Sequence, residues 1–172
     1  MTTALYTHPS SLEHDTGTGH PERIARIEAV NEALASDSWS ALVRQEAPRA
    51  TTEQLARVHD GAYVDLVVDN IPEDGFARLD SDTVLSPGSG DAALHAAGAI
   101  IAAVDAVVAG DAGNAFCAVR PPGHHAEPGR GMGFCLFNNV AIGALHARAA
   151  HGLQRVAIVD FDVHHGNGTQ AA

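Results

Sequence analysis

The chain predicts an α/β fold in which a parallel sheet carries helices on both faces. Three observations point there. Val156 to Phe161 (VAIVDF) is a short apolar run of the kind that fills a parallel strand buried on both sides. Ala115 to Val119 is a second such run, and between and before the two lie Ala- and Leu-rich stretches with helical spacing. The 172 residues show no internal repeat, low-complexity linker or break in composition, which fits part of a single domain.

The elements follow in order. Pro21 to Ala35 reads as a helix, with a proline near its first turn and apolar residues at 24, 27, 30 and 34. Leu42 and Val43 open a short strand, helices follow over Thr52 to Val58 and Ala62 to Val68, and the IPEDGF segment is a turn by its Pro and Gly. A loop is expected over Asp80 to Gly90, then a long Ala-rich helix over Asp91 to Ala109, ended by GDAGN. The strand at 115–119 leads into a His/Pro/Gly loop, and Asn138 to His151 forms the next helix, capped by its asparagine, before the final strand at 156–161. Right-handed crossovers would connect the parallel strands.

The chemistry gathers at two strand ends. Asp160, Asp162 and His164 stand two residues apart where the last strand finishes, and ligands of open α/β sheets collect beyond the carboxyl ends of strands. One carboxylate and one imidazole suit Zn²⁺, although catalytic zinc usually takes three protein ligands. Acidic residues also cap strand ends without any metal. The second strand runs into RPPGHHAEPGRGMGFCLFNN, which presents His124 and His125. Histidine is the natural acid/base near neutral pH, and a carboxylate such as Asp160 could hold one ring nitrogen. A solvated His-His pair in a surface loop is the plainer alternative.

RPPGHHA, GFCLFNN and VDFDVHHGNGTQ, in this order, resemble the signatures of the zinc-dependent histone deacetylase superfamily. GHPERIARI, Gly19 to Ile27, is similar to that family's first loop and helix, and SPGSGDAALHAAGA to the helix before its histidine loop. The GHHAEP form and Asn167 resemble the class II branch, with its bacterial deacetylase and acetylpolyamine amidohydrolase relatives. The resemblance implies an arginase/deacetylase-like open α/β fold. It also implies Asp162 and His164 as two of three zinc ligands, and Asp160 as the residue that orients His124 and helps hold a structural K⁺. His125 would be the general base, held by Asn167 where some members have a carboxylate.

The same resemblance makes Gly133 the acceptor, through its carbonyl, of the substrate amide proton and Phe134 a tunnel wall beside the lysine methylenes. Arg26 would lie in the pocket below the metal as a stop for departing acetate, and Asp82 would be the rim carboxylate that grips the substrate backbone. Residues 1–172 would then be the N-terminal part of one deacetylase domain. The family's third zinc ligand, an aspartate, and its oxyanion-stabilising tyrosine belong to the other half, so this chain alone is expected to be inactive.

Two other reaction classes stand beside deacetylation: a non-catalytic metal or acyl-ligand binding half-domain, and the arginase-like enzymes that use two manganese ions. The RPPGHHA and GFCLFNN runs favour the deacetylase side.

Composition narrows the partners. With 10 basic against 21 acidic residues the formal charge is −11, which argues against direct nucleic-acid binding and suits cationic partners such as polyamines or lysine-rich peptides. The 45% apolar content, with no leader at the N-terminus and no run of about 18 apolar residues, predicts a cytoplasmic protein without a membrane span. Cys117 and Cys135 read as buried thiols. An exposed sheet edge would invite self-association. His14, His59, His95, His146 and His151 match no motif and read as surface or packing residues.

Overall fold

A computed structural model describes residues 2–172. In chain order it contains β1 (Thr3–Thr7), α1 (Ile24–Leu34), β2 (Val43–Glu46), α2 (Thr52–Leu55) and α3 (Gly61–Asp69). There follow β3 (Ala77–Arg78), β4 (Val84–Leu85), α4 (Ser89–Ala109), β5 (Asn114–Cys117), α5 (Asn139–His151) and α6 (Asn167–Ala171). The sheet is parallel, in the order β2-β1-β5, with Ala4 opposite Val43 on one side and Ala115 on the other.

The expected two-faced architecture is present, and β1 shows how it works. Successive strand side chains point to opposite faces. Ala4 and Tyr6 pack with Ala99 and Ala103 of α4, whereas Leu5 packs with Ile27 of α1 and Ala118 on the other side. The small residues of α4 let its backbone approach closely, and α4 also joins the main core, where Leu94, Ala97 and Ile101 meet Phe137, Ala141 and Ile142. α4 is long and apolar enough to cross a membrane, with a mean hydropathy of 1.9, which corrects the expectation that no such stretch exists. Half of that stretch is buried against the rest of the fold, the position of a core helix.

Several local expectations change. β1, the central strand, was not foreseen, because TALYT is too short and mixed for a clear pattern. The helix at Pro21 starts only at Ile24. The helix from Thr52 stops at Leu55, fixed at its start by a reciprocal pair in which Thr51 Oγ1 accepts from Gln54 N and Gln54 Oε1 accepts from Thr51 N. The Asp80–Gly90 loop contains half of a small antiparallel hairpin, β3 with β4, whose Val84 and Leu85 are buried. The loop ends where α4 begins, two residues before the expected Asp91.

The largest correction concerns residues 156–161. They form no strand: no sheet partner lies beside them among the described residues, and Val159 and Phe161 are 86% and 98% exposed. The apolar pattern is that of a buried strand, but a strand exists only through its ladder with a neighbour, and here the neighbour is missing.

Candidate metal and proton-transfer site

The loop after β5 is held in place by buried groups from across the fold. Arg120, at its start, is 4% exposed and grips the fully buried Glu22 through two hydrogen bonds of 2.6 Å, Nε to Oε1 and Nη2 to Oε2, while Nη1 donates to Ser11 O at 2.7 Å. This clamp ties the segment before α1 to the histidine loop. Farther along, His59 accepts from Asn138 N at 2.9 Å with Nε2, so its Nδ1–H faces the carbonyls of Glu127 and Pro128. Tyr63 Oη donates to Leu136 O at 2.6 Å. Burial holds the His59 ring below its usual pKa and pushes the Tyr63 phenol well above its own. Both act as neutral braces.

On this frame the two histidines are oriented separately. Asp160 Oδ2 accepts from His124 Nδ1 at 2.8 Å, and that bond holds the Asp160 carboxyl below the usual carboxylate range. His125 Nδ1 lies 2.7 Å from Asn167 Oδ1. The amide orientation is fixed from behind, since Asn167 Nδ2 donates to Glu127 Oε1 at 2.9 Å and a carboxylate has no hydrogen to give. Asn167 Oδ1 therefore needs a hydrogen on His125 Nδ1. In the neutral ring the Nε2 lone pair is then free for a proton, the arrangement a general base requires.

Asp162 and His164 complete the group. Asp162 Oδ1 accepts from His164 N at 2.7 Å and lies 2.8 Å from His164 Nδ1; these two bonds hold the Asp162 carboxyl below its ordinary range. Asp162 Oδ1 and His164 Nδ1 thus share one hydrogen at one wall of the cavity; with that hydrogen displaced, the carboxylate oxygen and imidazole nitrogen would form a donor pair of the kind zinc takes. The His124 and His125 ring centroids are 4.0 Å apart, and His125 and His164 meet edge to face at 5.9 Å.

One cavity of about 390 Å³ brings together Arg26, Asp82, His124, His125, Gly133, Phe134, Asp162 and His164 from segments far apart in the chain. Asp160 and Asn167 stand behind the histidines, outside it. Gly133 has φ +56°, and a Cβ there would run into the His125 ring; Phe134 follows with φ +70°, its N–H donating to Thr83 Oγ1 at 3.2 Å. His20 meets the Phe134 ring edge-on at 4.9 Å and binds the carbonyl of Asp82 at 3.0 Å, which places Asp82 on the rim. Arg26 is 61% exposed along its side chain and 3.8 Å from Glu22.

Sequence reasoning passed over Glu22, Arg120, Glu127, His59 and His20. The EP after the histidine pair and the ER before α1 were the available signals, but their partners lie dozens of residues away. His14 and His59, expected to be unremarkable, are buried and bonded, His14 to Ser89 Oγ at 2.7 Å.

The histone deacetylase domain model matches residues 20–172. The chain is 44% identical to a histone deacetylase-like amidohydrolase of Pseudomonas aeruginosa over 93% of its own length and 42% of that protein. It is 38% identical to a probable deacetylase of Archaeoglobus fulgidus, covering 99% of this chain and 47% of the other, and 43% identical to the polyamine deacetylase HDAC10 of Homo sapiens over 74% of this chain and 20% of that protein. The crystal structure of the HDA15 HD domain superposes with a TM-score of 0.93 at 39% identity, covering 99% of this chain and 50% of that one. The chain thus spans about half the length of the first relatives it matches.

Proposed function

The chain belongs to the histone deacetylase family, and on that premise we propose that it forms the proton-transfer and half of the metal-binding machinery of a zinc-dependent amidohydrolase. The substrates would be N-acetylated amines, either acetyl-lysine in a histone or other protein or an acetylpolyamine. The observation that carries the reading is the convergence of Asp162 Oδ1 and His164 Nδ1 on the cavity that His124 and His125 also line.

Bound by that pair, Zn²⁺ would polarise an acetyl carbonyl and generate a nucleophile from water near neutral pH. His125 takes the proton at Nε2, because Asn167 occupies its other nitrogen. His124, whose Nδ1 donates to the Asp160 carboxylate, is held beside His125 to pass a proton to the leaving amine. Asp160 is also the candidate for the structural K⁺. Phe134 offers an apolar wall to the methylenes, the Gly133 carbonyl an acceptor for the amide N–H, and Asp82 a rim carboxylate for the substrate backbone. Arg26 offers a guanidinium to departing acetate.

The test is release of acetate from an acetyl-lysine peptide and from an N-acetylpolyamine by the whole protein. Loss of activity on chelation and in His125→Ala supports the reading; activity retained in both overturns it. A second reading, binding without turnover, is favoured by one observation: among the described residues no third His, Cys, Asp or Glu closes on Asp162 and His164, whereas catalytic zinc takes three protein ligands. It predicts that the protein binds acetylated ligand and never releases acetate.

A further inference from the structure

We infer that the chain carries a second divalent-metal site, formed by His8, Asp91 and His95 with Glu46 at its rim. It shares no residue with the cavity described above and does not depend on the deacetylase reading. His8 directly follows β1, Glu46 ends β2, and Asp91 and His95 lie one turn apart on α4, so the cluster sits at the carboxyl ends of two adjacent parallel strands. Open α/β folds gather ligands at that edge.

The hydrogen bonds prepare the donors. His95 Nδ1 lies 2.8 Å from the Ala47 carbonyl, which can only accept, so Nδ1 carries the hydrogen and Nε2 of the neutral ring carries the lone pair. A histidine whose second nitrogen donates to a backbone carbonyl is the usual arrangement of a metal ligand. That Nε2 faces Asp91 Oδ2 at 3.6 Å. A lone pair opposite a carboxylate oxygen at this spacing suits a cation held between them.

His8 stacks on His95 with the ring centroids 3.4 Å apart and the planes within 5°. His8 Nδ1 accepts from Ser10 N at 3.2 Å and lies 2.7 Å from Ser10 Oγ; its Nε2 is 3.6 Å from Glu46 Oε1, and a metal held there would take the place of the Nε2 hydrogen between ring and carboxylate. The donor atoms of His8, Asp91 and His95 all lie within 4.8 Å of one another, and both histidine side chains are largely shielded, 15% and 13% exposed. Tetrahedral zinc, with Zn–N of about 2 Å, needs donors about 3.3 Å apart, a small closure from the observed spread. Arg49 occupies only Asp91 Oδ1, at 2.6 Å, and leaves Oδ2 for monodentate binding. Two imidazoles with one or two carboxylates suit a borderline ion such as Zn²⁺ or Co²⁺ rather than Ca²⁺ or Mg²⁺.

The other histidine cluster shows the contrast. Asp105 meets Nε2 of both His146 and His151 at 2.6 Å, but Arg57 donates to His146 Nδ1, which leaves the hydrogen on Nε2. There the Nε2 atoms are already engaged by Asp105 at hydrogen-bond distance, whereas His95 Nε2 and Asp91 Oδ2 stand 3.6 Å apart with room for an ion between them.

The experiment titrates the metal-free chain with Zn²⁺ by calorimetry and with Co²⁺ by visible absorption. The Asp162→Ala/His164→Ala variant is expected to keep one equivalent, with a thermal midpoint that rises on addition of Zn²⁺. Adding His95→Asn, whose amide N–H can still reach Ala47 O, should weaken that equivalent at least tenfold and abolish the thermal shift. His8→Gln should do the same if His95→Asn fails to fold. No binding in the Asp162→Ala/His164→Ala variant, or unchanged binding after His95→Asn, overturns the site. So does an NMR spectrum in which His95 carries hydrogen on both nitrogens and ignores Zn²⁺.

Discussion

Glu127 decides which way Asn167 faces His125: its Oε1 takes the Asn167 amide hydrogen at 2.9 Å, and the amide oxygen is thereby turned to His125 Nδ1 at 2.7 Å. Asn167→Asp would set two carboxylates against each other across that 2.9 Å contact. The Glu127 side chain is 33% exposed, so solvent softens the repulsion. We expect a loss of about 1 kcal/mol, recovered in Asn167→Asp/Glu127→Gln. Urea denaturation of the two variants measures it; equal stability of both would remove Glu127 from the arrangement.

The Glu22–Arg120 clamp is buried on both sides. Arg120→Met should cost about 3–5 kcal/mol, because it strands the Glu22 charge, and Glu22→Leu/Arg120→Met should regain most of that loss. Chemical denaturation of the single and double variants tests it. A double variant as unstable as the single would assign the cost to lost packing instead.

His14 gives the fold an acid sensitivity. Burial, helped by the Arg120 cation, lowers its pKa from 6.5 to about 4. The unfolded chain therefore binds more protons between these values, stability rises with pH through that window, and it is lost as pH falls from about 6.5 towards 4. The loss is on the order of 3 kcal/mol. His59, lowered by burial, adds to it with the same sign. His14→Asn should flatten the dependence of the urea midpoint on pH by up to one proton; an unchanged slope would exclude His14.

Gly133→Ala should fold poorly and dislodge His125, since φ is +56° and the new methyl would sit 2.8 Å from His125 Cγ. Acetate release by the whole protein should fall by tenfold or more, with the thermal midpoint lowered. Normal turnover would show that the His125 ring can move aside without consequence.

The exposed apolar side chains at 156–163 predict concentration-dependent association of the chain. Val159→Lys/Phe161→Lys should lower the sedimentation coefficient at high concentration towards that of a monomer. If it does not, the contact lies elsewhere.

That these residues would share one cavity was legible because they cluster in contiguous strings: GHH, GF and DFDVHH carry most of its lining. The parallel sheet was legible through the Ala115–Val119 run. What escaped was held by distance. Arg120 and Glu22 are 98 positions apart, His59 and Asn138 79, and no local pattern joins them. β1 escaped because five residues of mixed character become a central strand only through neighbours on both sides. The 156–161 run misled for the converse reason, being a strand in composition without a ladder to make it one.

That run leads directly into Asp162 and His164. Besides the apolar side chains of 156–159, which line a cavity with α4 and α5, it is held by the Asp160–His124 bond and by turns of its own, Asp162 N to Asp160 Oδ1 and His164 N to Asp162 Oδ1. Any polypeptide that pairs with 156–161 would order Asp162 and His164, which follow it directly, and so couple its own binding to theirs. Because such coupling is reciprocal, metal bound at Asp162 and His164 would tighten the hold on that polypeptide by the same factor. Metal uptake there and strand pairing at 156–161 would then be one equilibrium.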